Sequence, residues 1–147
     1  MKVKDVMLVV FVLIILISAA DTLYAFSRLN GPMQELLNSY ADQVKAEKPD
    51  FQGFSVAKGK RLFYSTRIHS KKKKERSCTT CHTKDPGKSG RTTVGKKIEP
   101  VSPAINKKRF TDPKKVEKWF RRNCKWVLER ECTPEEKGDY ITFMMSL

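Results

Sequence analysis

Apolar residues in this chain recur at helical spacing. Leu36, Leu37, Tyr40 and Val44 share one helical face, behind Gly31-Pro32 and ahead of Pro49, which predicts a helix over about residues 32–47. A second helix is predicted over 54–65, with Val56, Leu62 and Phe63 for burial. Thr111-Asp112-Pro113 sets a capping side chain before a proline, the mark of a helix start. Val116, Trp119 and Phe120 supply the apolar face of that helix, expected over 112–122. Thr133-Pro134-Glu135-Glu136 is another start, with Thr133 and Glu136 spaced for a capping box. The helix it opens carries Ile141, Met144 and Met145 to the C-terminus. No strand-type alternation is sustained anywhere, so the expected fold class is all-α. Residues 66–77 hold Lys71-Lys72-Lys73-Lys74-Glu75-Arg76, a run too charged to bury. Residues 78–103 are punctuated by glycines and prolines and read as loop. No internal repeat appears, and one domain over 32–147 accounts for the pattern.

The first twenty residues follow a different logic. Lys2 and Lys4 precede an unbroken apolar run over 6–17, then the small residues Ser18, Ala19 and Ala20. That is the layout of a secretory signal peptide, with cleavage expected after Ala20, or else after Ala25. The alternative is an uncleaved anchor, for which the stretch over 6–20 falls short of the roughly 20 residues a span needs. Either way the remaining chain is expected outside the cytoplasm, in the periplasm.

Composition then narrows the partners. The 147 residues carry a net charge of +14, and loss of residues 1–20, with Lys2, Lys4 and Asp5, lowers it to +13. An apolar share of 39% excludes a disordered polybasic tail. In an exported protein this charge points to acidic protein partners or anionic membrane surfaces rather than to nucleic acid. The length excludes a large multi-domain enzyme.

Cys78-Thr79-Thr80-Cys81-His82 is C-x-x-C-H, the attachment signature of c-type haem. Two thiols at this spacing can add to the two vinyl groups on one porphyrin edge, and the adjacent imidazole can turn under the ring to ligate iron. A redox dithiol does not need His82, and no βαβ pattern surrounds the motif. A zinc site recruiting Cys124 and Cys132 has the wrong spacing for a knuckle. Covalent haem attachment also agrees with export. Cys124 and Cys132 remain as an even pair in an oxidising compartment, and a disulfide between them is expected, with two free thiols as the alternative.

The sixth iron ligand is the open question. Electron-transfer cytochromes supply a methionine from a loop after the motif, yet no Met and no second His lies between His82 and Gly138. Met33 and His69 lie upstream, and His69 borders the lysine run, where exposure is expected. Met144 and Met145 belong to a helix expected to pack. Asn123, Asn106, several lysines, water or an open position remain. Taken alone, Asn123 reads as a helix-end residue capping backbone groups. A weak or absent sixth ligand turns the expectation from electron carrier towards gas binding.

The chain resembles the sphaeroides-haem-protein family, a branch of oxygen-binding class I cytochromes c. The resemblance rests on Ala57-Lys58-Gly59-Lys60-Arg61-Leu62-Phe63, Ser77-Cys78-Thr79-Thr80-Cys81-His82, Gly95-Lys96-Lys97-Ile98-Glu99-Pro100 and Arg109-Phe110-Thr111-Asp112. It continues through Val116-Glu117-Lys118-Trp119, Arg122-Asn123-Cys124 and Cys132-Thr133-Pro134-Glu135-Glu136-Lys137. It implies a small single-haem class I cytochrome fold with an extra N-terminal helix, His82 as proximal ligand and Asn123 as an unusual distal one. It also implies a disulfide at Cys124 and Cys132, loss of Asn123 from the iron on reduction, and binding of O2, CO or NO. A dihaem or acidic cytochrome c is the implied electron partner. The outcome then expected is O2 reduction, nitric-oxide dioxygenation or simple carriage, and the rival is a plain electron shuttle with a strong sixth ligand. The basic insert at 71–76 departs from what the family leads one to expect. Trp119 and Phe120 are expected to wall the gas pocket, and Arg91, Lys96 and Lys97 to neutralise the haem propionates.

Overall fold

In a computed structural model the described residues are 29–147, and the expected signal segment lies outside them. Helix α1, Gly31–Glu47, is capped by the Asn30 carboxamide, which accepts from the Met33 N–H at 3.1 Å, with Pro32 in its first turn. Met33, Leu37, Tyr40 and Val44 form its buried stripe. Met33 is therefore a core residue, and Leu36 is only half-buried. Helix α2, Val56–Tyr64, is capped by Ser55 and buries Gly59 and Phe63, four residues apart on one face.

A short hairpin follows, β1 (Arg67–Ile68) antiparallel to β2 (Glu75–Arg76), with the lysine run in its turn. The four-residue helix α3, Thr79–His82, carries the C-x-x-C-H motif. A second small hairpin pairs β3 (Gly90–Arg91) with β4 (Lys97–Ile98). Helix α4, Pro113–Leu128, starts where Asp112 accepts from the Lys115 N–H, and helix α5, Pro134–Met145, starts on a complete Thr133–Glu136 capping box. The fold is all-α, and its strands are two-residue pairs inside turns, too short to leave any alternation in the sequence.

Two adjoining clusters make the core. One joins α1, α4 and α5 through Leu37, Tyr40, Phe120, Cys124, Ile141 and Met145. The other joins Phe63, Val101, Phe143 and Met144, and Cys78 packs against it. Phe110 and Tyr140 touch both. Gly59 is where α2 meets α5: a Cβ there would lie 2.0 Å from the Asp139 carbonyl oxygen, so only glycine permits this approach. Glu117 ties the three long helices together, accepting from the Tyr40 hydroxyl and, at 2.9 Å, from Lys137. Among the described residues no helix is long and apolar enough to cross a membrane.

Candidate haem site

The motif is held by its own local chemistry. Thr80 Oγ1 accepts from the Ser77 N–H at 3.0 Å, and the Ser77 and Thr79 hydroxyls lie 2.6 Å apart, so both intervening threonines brace the start of α3. The helix stops at Thr83, whose φ of 62° turns the chain away after His82. β3 closes over it, and a Cβ on Gly90 would fall 1.8 Å from the Cys81 carbonyl oxygen. The spacing thus puts Cys78, Cys81 and His82 on a single helical turn.

Cys78 and Cys81 carry free thiols. Burial pushes the Cys78 thiol up to about 11 and raises that of Cys81. A redox C-x-x-C needs the opposite, a thiolate stabilised at neutral pH. Zinc has no set of donors either: Cys124 and Cys132 are bonded to each other with Cα atoms 5.5 Å apart, and the described residues contain no cluster of three ligating side chains. The His82 imidazole makes no hydrogen bond among the described residues, and burial, followed by the charge of Arg109, lowers its pKa to about 4. It is neutral at pH 7, with a lone pair to give to a metal. Two thiols and a neutral, uncommitted imidazole on one turn fit covalent haem. Sequence reasoning passed over Arg109. It donates to the carbonyls of Pro100 at 2.9 Å and Glu99 at 2.6 Å, fixing the 99–110 loop beside His82. No local motif marks such a contact.

Asn123 lies inside α4 and not at its end, because the helix runs on to Leu128. The expected 112–122 helix is therefore too short, and the capping role for Asn123 is excluded. The disulfide to Cys132 begins one residue on, and Cys124 faces the core, so Val127 and Leu128 can continue the apolar stripe. Asn123 is exposed, and its carboxamide has no hydrogen-bond partner among the described residues. It shares a face with Trp119 and Trp126. Trp119 and Phe120 do not act together. Phe120 is buried edge-on against Tyr140, their ring centres 5.6 Å apart, while Trp119 is 48% exposed, since neighbouring residues on a helix point about 100° apart.

Arg76 links the two halves of the site. It sits two residues before Cys78 and is buried, contrary to the expectation for its charged segment. Its guanidinium donates to the Trp126 carbonyl at 2.9 Å and stacks 4.4 Å above the Trp126 ring. The arm leading into the C-x-x-C-H turn is thereby fixed to the α4 turn that follows Asn123.

The other amide, imidazole and thioether ligands weighed from the sequence are hydrogen-bonded or buried in the core. Asn106 donates to the Pro100 carbonyl and accepts from the Lys108 N–H. His69 is mostly buried rather than exposed, and its Nδ1 accepts from the Lys71 and Lys72 N–H groups and faces Glu129. Met33 and Met144 are sealed at 0% exposure, and Met145 is buried. Arg91 reaches the Gly95 carbonyl and Lys97 pairs with Glu99, so both are held by their own hairpin.

The family described as "Domain of unknown function (DUF1924)" matches residues 49–144. Cytochrome c'' of Methylophilus methylotrophus is 32% identical over 147 residues, covering 99% of this chain and 96% of the relative. The cytochrome c-type protein SHP of Cereibacter sphaeroides is 45% identical over 87 residues, covering 59% of this chain and 67% of the relative. The chain belongs to the SHP-like cytochrome c family. As a cytochrome c of this family it is a haem protein carrying covalently bound haem c with its iron. Solved structures of both relatives share its fold. Oxidised cytochrome c'' gives a TM-score of 0.68 at 34% identity, covering 76% of this chain and 91% of that one. Oxidised SHP, described as an oxygen-binding cytochrome c, gives 0.64 at 38% identity, covering 76% and 94%. A solution structure of cytochrome c'' bears on haem-ligand detachment.

Proposed function

We propose that this is an exported, periplasmic monohaem cytochrome c whose iron is held by His82 and, weakly, by Asn123, and that it binds a diatomic gas when reduced. Cys78 and Cys81 hold the porphyrin edge. His82 would hold the iron through its neutral lone pair, and Arg109 keeps the adjoining loop in place. When bound, the haem supplies an iron that cycles by one electron and accepts a diatomic molecule. Asn123 would offer a neutral carboxamide, a poor donor to iron(II), and would therefore be the ligand that yields to O2, NO or CO in the reduced protein. Its freed N–H groups are then placed to donate to the gas. A partner cytochrome, acidic or dihaem, delivers the electron.

One observation carries this reading. Of the side chains weighed for the distal position, Asn123 alone among the amide, imidazole and thioether donors is exposed and unpartnered, and its helix is anchored by Arg76 to the motif. The relatives agree in kind, one being an oxygen-binding cytochrome and the other a cytochrome studied for haem-ligand detachment. The test is Asn123→Ala, read by absorption and electron paramagnetic resonance. The variant should keep its covalent haem by mass, lose the wild-type oxidised spectrum, and take up CO when reduced, as the wild type does. An unchanged oxidised spectrum removes Asn123 from the iron. A reduced wild type that ignores CO makes the protein a plain electron shuttle.

A further inference from the structure

The turn of the β1–β2 hairpin holds Lys71, Lys72, Lys73 and Lys74, all exposed and none with an acidic partner. Some lysines elsewhere are paired, as Lys48 and Lys58 are with Glu135, Lys125 with Glu131 and Lys137 with Glu117, but no other run sets four unpaired lysines side by side. A loop serving solubility alone needs no fixed shape, but this one is held at every side. The His69 N–H donates to the Lys74 carbonyl at 3.0 Å, and the Lys73 N–H to that of His69 at 2.9 Å. His69 Nδ1 takes the Lys71 and Lys72 amides, each at 3.2 Å. Ser70 donates twice to Glu129, from its N–H at 2.7 Å and its hydroxyl at 2.6 Å. Glu129, the one acid drawn onto the turn, is thus spent on backbone and hydroxyl groups and neutralises none of the four lysines. Lys73 holds a φ of 52°, which the turn stabilises against its steric cost. The strand leaving the turn reaches Cys78 two residues after Arg76.

We infer that this hairpin is a preformed docking face for an acidic electron-transfer protein, presenting four lysines on a backbone turn of fixed shape that leads into the haem-attachment turn. The inference rests on the reading above that a partner protein reduces the haem. Fixing the turn's backbone lowers the ordering cost of docking, and the four charges steer encounter towards the face that carries the attachment motif.

The test uses the full haem-loaded protein and reduced flavodoxin, a small acidic one-electron donor whose flavin hydroquinone becomes the semiquinone as iron(III) becomes iron(II). One variant carries Lys71→Glu, Lys72→Glu, Lys73→Glu and Lys74→Glu. A control of equal net charge carries Lys45→Glu, Lys60→Glu, Lys114→Glu and Lys118→Glu, all at exposed and unpaired positions. At low salt the hairpin variant should be reduced at least about tenfold more slowly and the control less than about threefold, and the gap should close in about 0.5 M salt. Carbodiimide cross-links between wild type and flavodoxin should map to residues 71–74. Dithionite in about 0.5 M salt, too small to dock and with its charge screened, should reduce all three proteins alike; if the dithionite-treated wild type shows no haem bands, the haem reading is at fault and not the docking face. Equal slowing in both variants leaves only net-charge steering and overturns the proposal. So does a hairpin variant that keeps the wild-type rate, or one that changes only binding to phosphatidylglycerol vesicles.

Discussion

Asn123, inside α4, and Glu129, just past its end, are six residues apart, and their chemistry is set by opposite circumstances. Asn123 has no hydrogen-bond partner among the described residues, which leaves its amide uncommitted. Glu129 follows the helix end at a left-handed φ of 58° and gives both oxygens to Ser70, which holds its carboxyl below the usual carboxylate range. A carboxylate whose folded pKa is depressed stabilises the fold above its unfolded pKa, and that contribution is lost as pH falls through the folded value. Acidification below the ordinary glutamate range should therefore loosen the hairpin from α4 before the core responds. Hydrogen exchange at the Ser70 amide checks this. Protection that holds down to the pH of global unfolding would show that the carboxylate does not anchor the turn. Asn123 itself was visible in the sequence by its type and neighbours. Its exposure and lack of a partner were not, because both depend on how far α4 continues past Cys124.

At the scale of elements, the starts of α4 and α5 were legible from Asp112 and Thr133, those of α1 and α2 were placed to within two residues without their caps, and α3 lay in a stretch read as loop. Asn30, Ser55, Asp112 and Thr133 all cap helices by accepting a backbone N–H three residues on, a local bond that needs no tertiary help. Helix ends were less so. The 112–122 estimate stopped six residues short because Arg121, Arg122 and Lys125 hide the inward stripe of Phe120, Cys124 and Val127. The charged stretch at 66–77 gave no sign of a hairpin, since two-residue strands carry too few positions to alternate. The seam between α2 and α5 depends on Gly59. Gly59→Ala would drive a Cβ into the Asp139 carbonyl and within 2.8 Å of the Phe143 Cβ, neither of which is the tip of a flexible side chain. The expected loss is about 2–3 kcal/mol of stability, from helices forced apart. A shift in the denaturation midpoint at constant slope measures it, and an unchanged midpoint would mean that the seam adjusts freely.

For the molecule as a whole, thirty basic residues against sixteen acidic ones must repel one another in the folded state. Raising ionic strength from about 10 to 150 mM should stabilise the fold by on the order of 1 kcal/mol, seen as a rise of about 4 °C in the thermal midpoint. A fall would mean that specific pairs such as Arg130–Glu136 outweigh the net repulsion. By itself the sequence determined what is short-range: the caps at Asp112 and Thr133, the C-x-x-C-H motif, the even pair of remaining cysteines and the excess of positive charge. Each depends on groups a few residues apart, or on composition alone. Only the tertiary structure decided that Arg76 is buried over Trp126, that Arg109 lies beside His82, that His69 and Asn106 are already engaged, and that the lysine turn is a fixed shape. Those contacts join residues that are mostly distant along the chain, and chain closure, burial and packing settle them together, leaving no local pattern from which to read them.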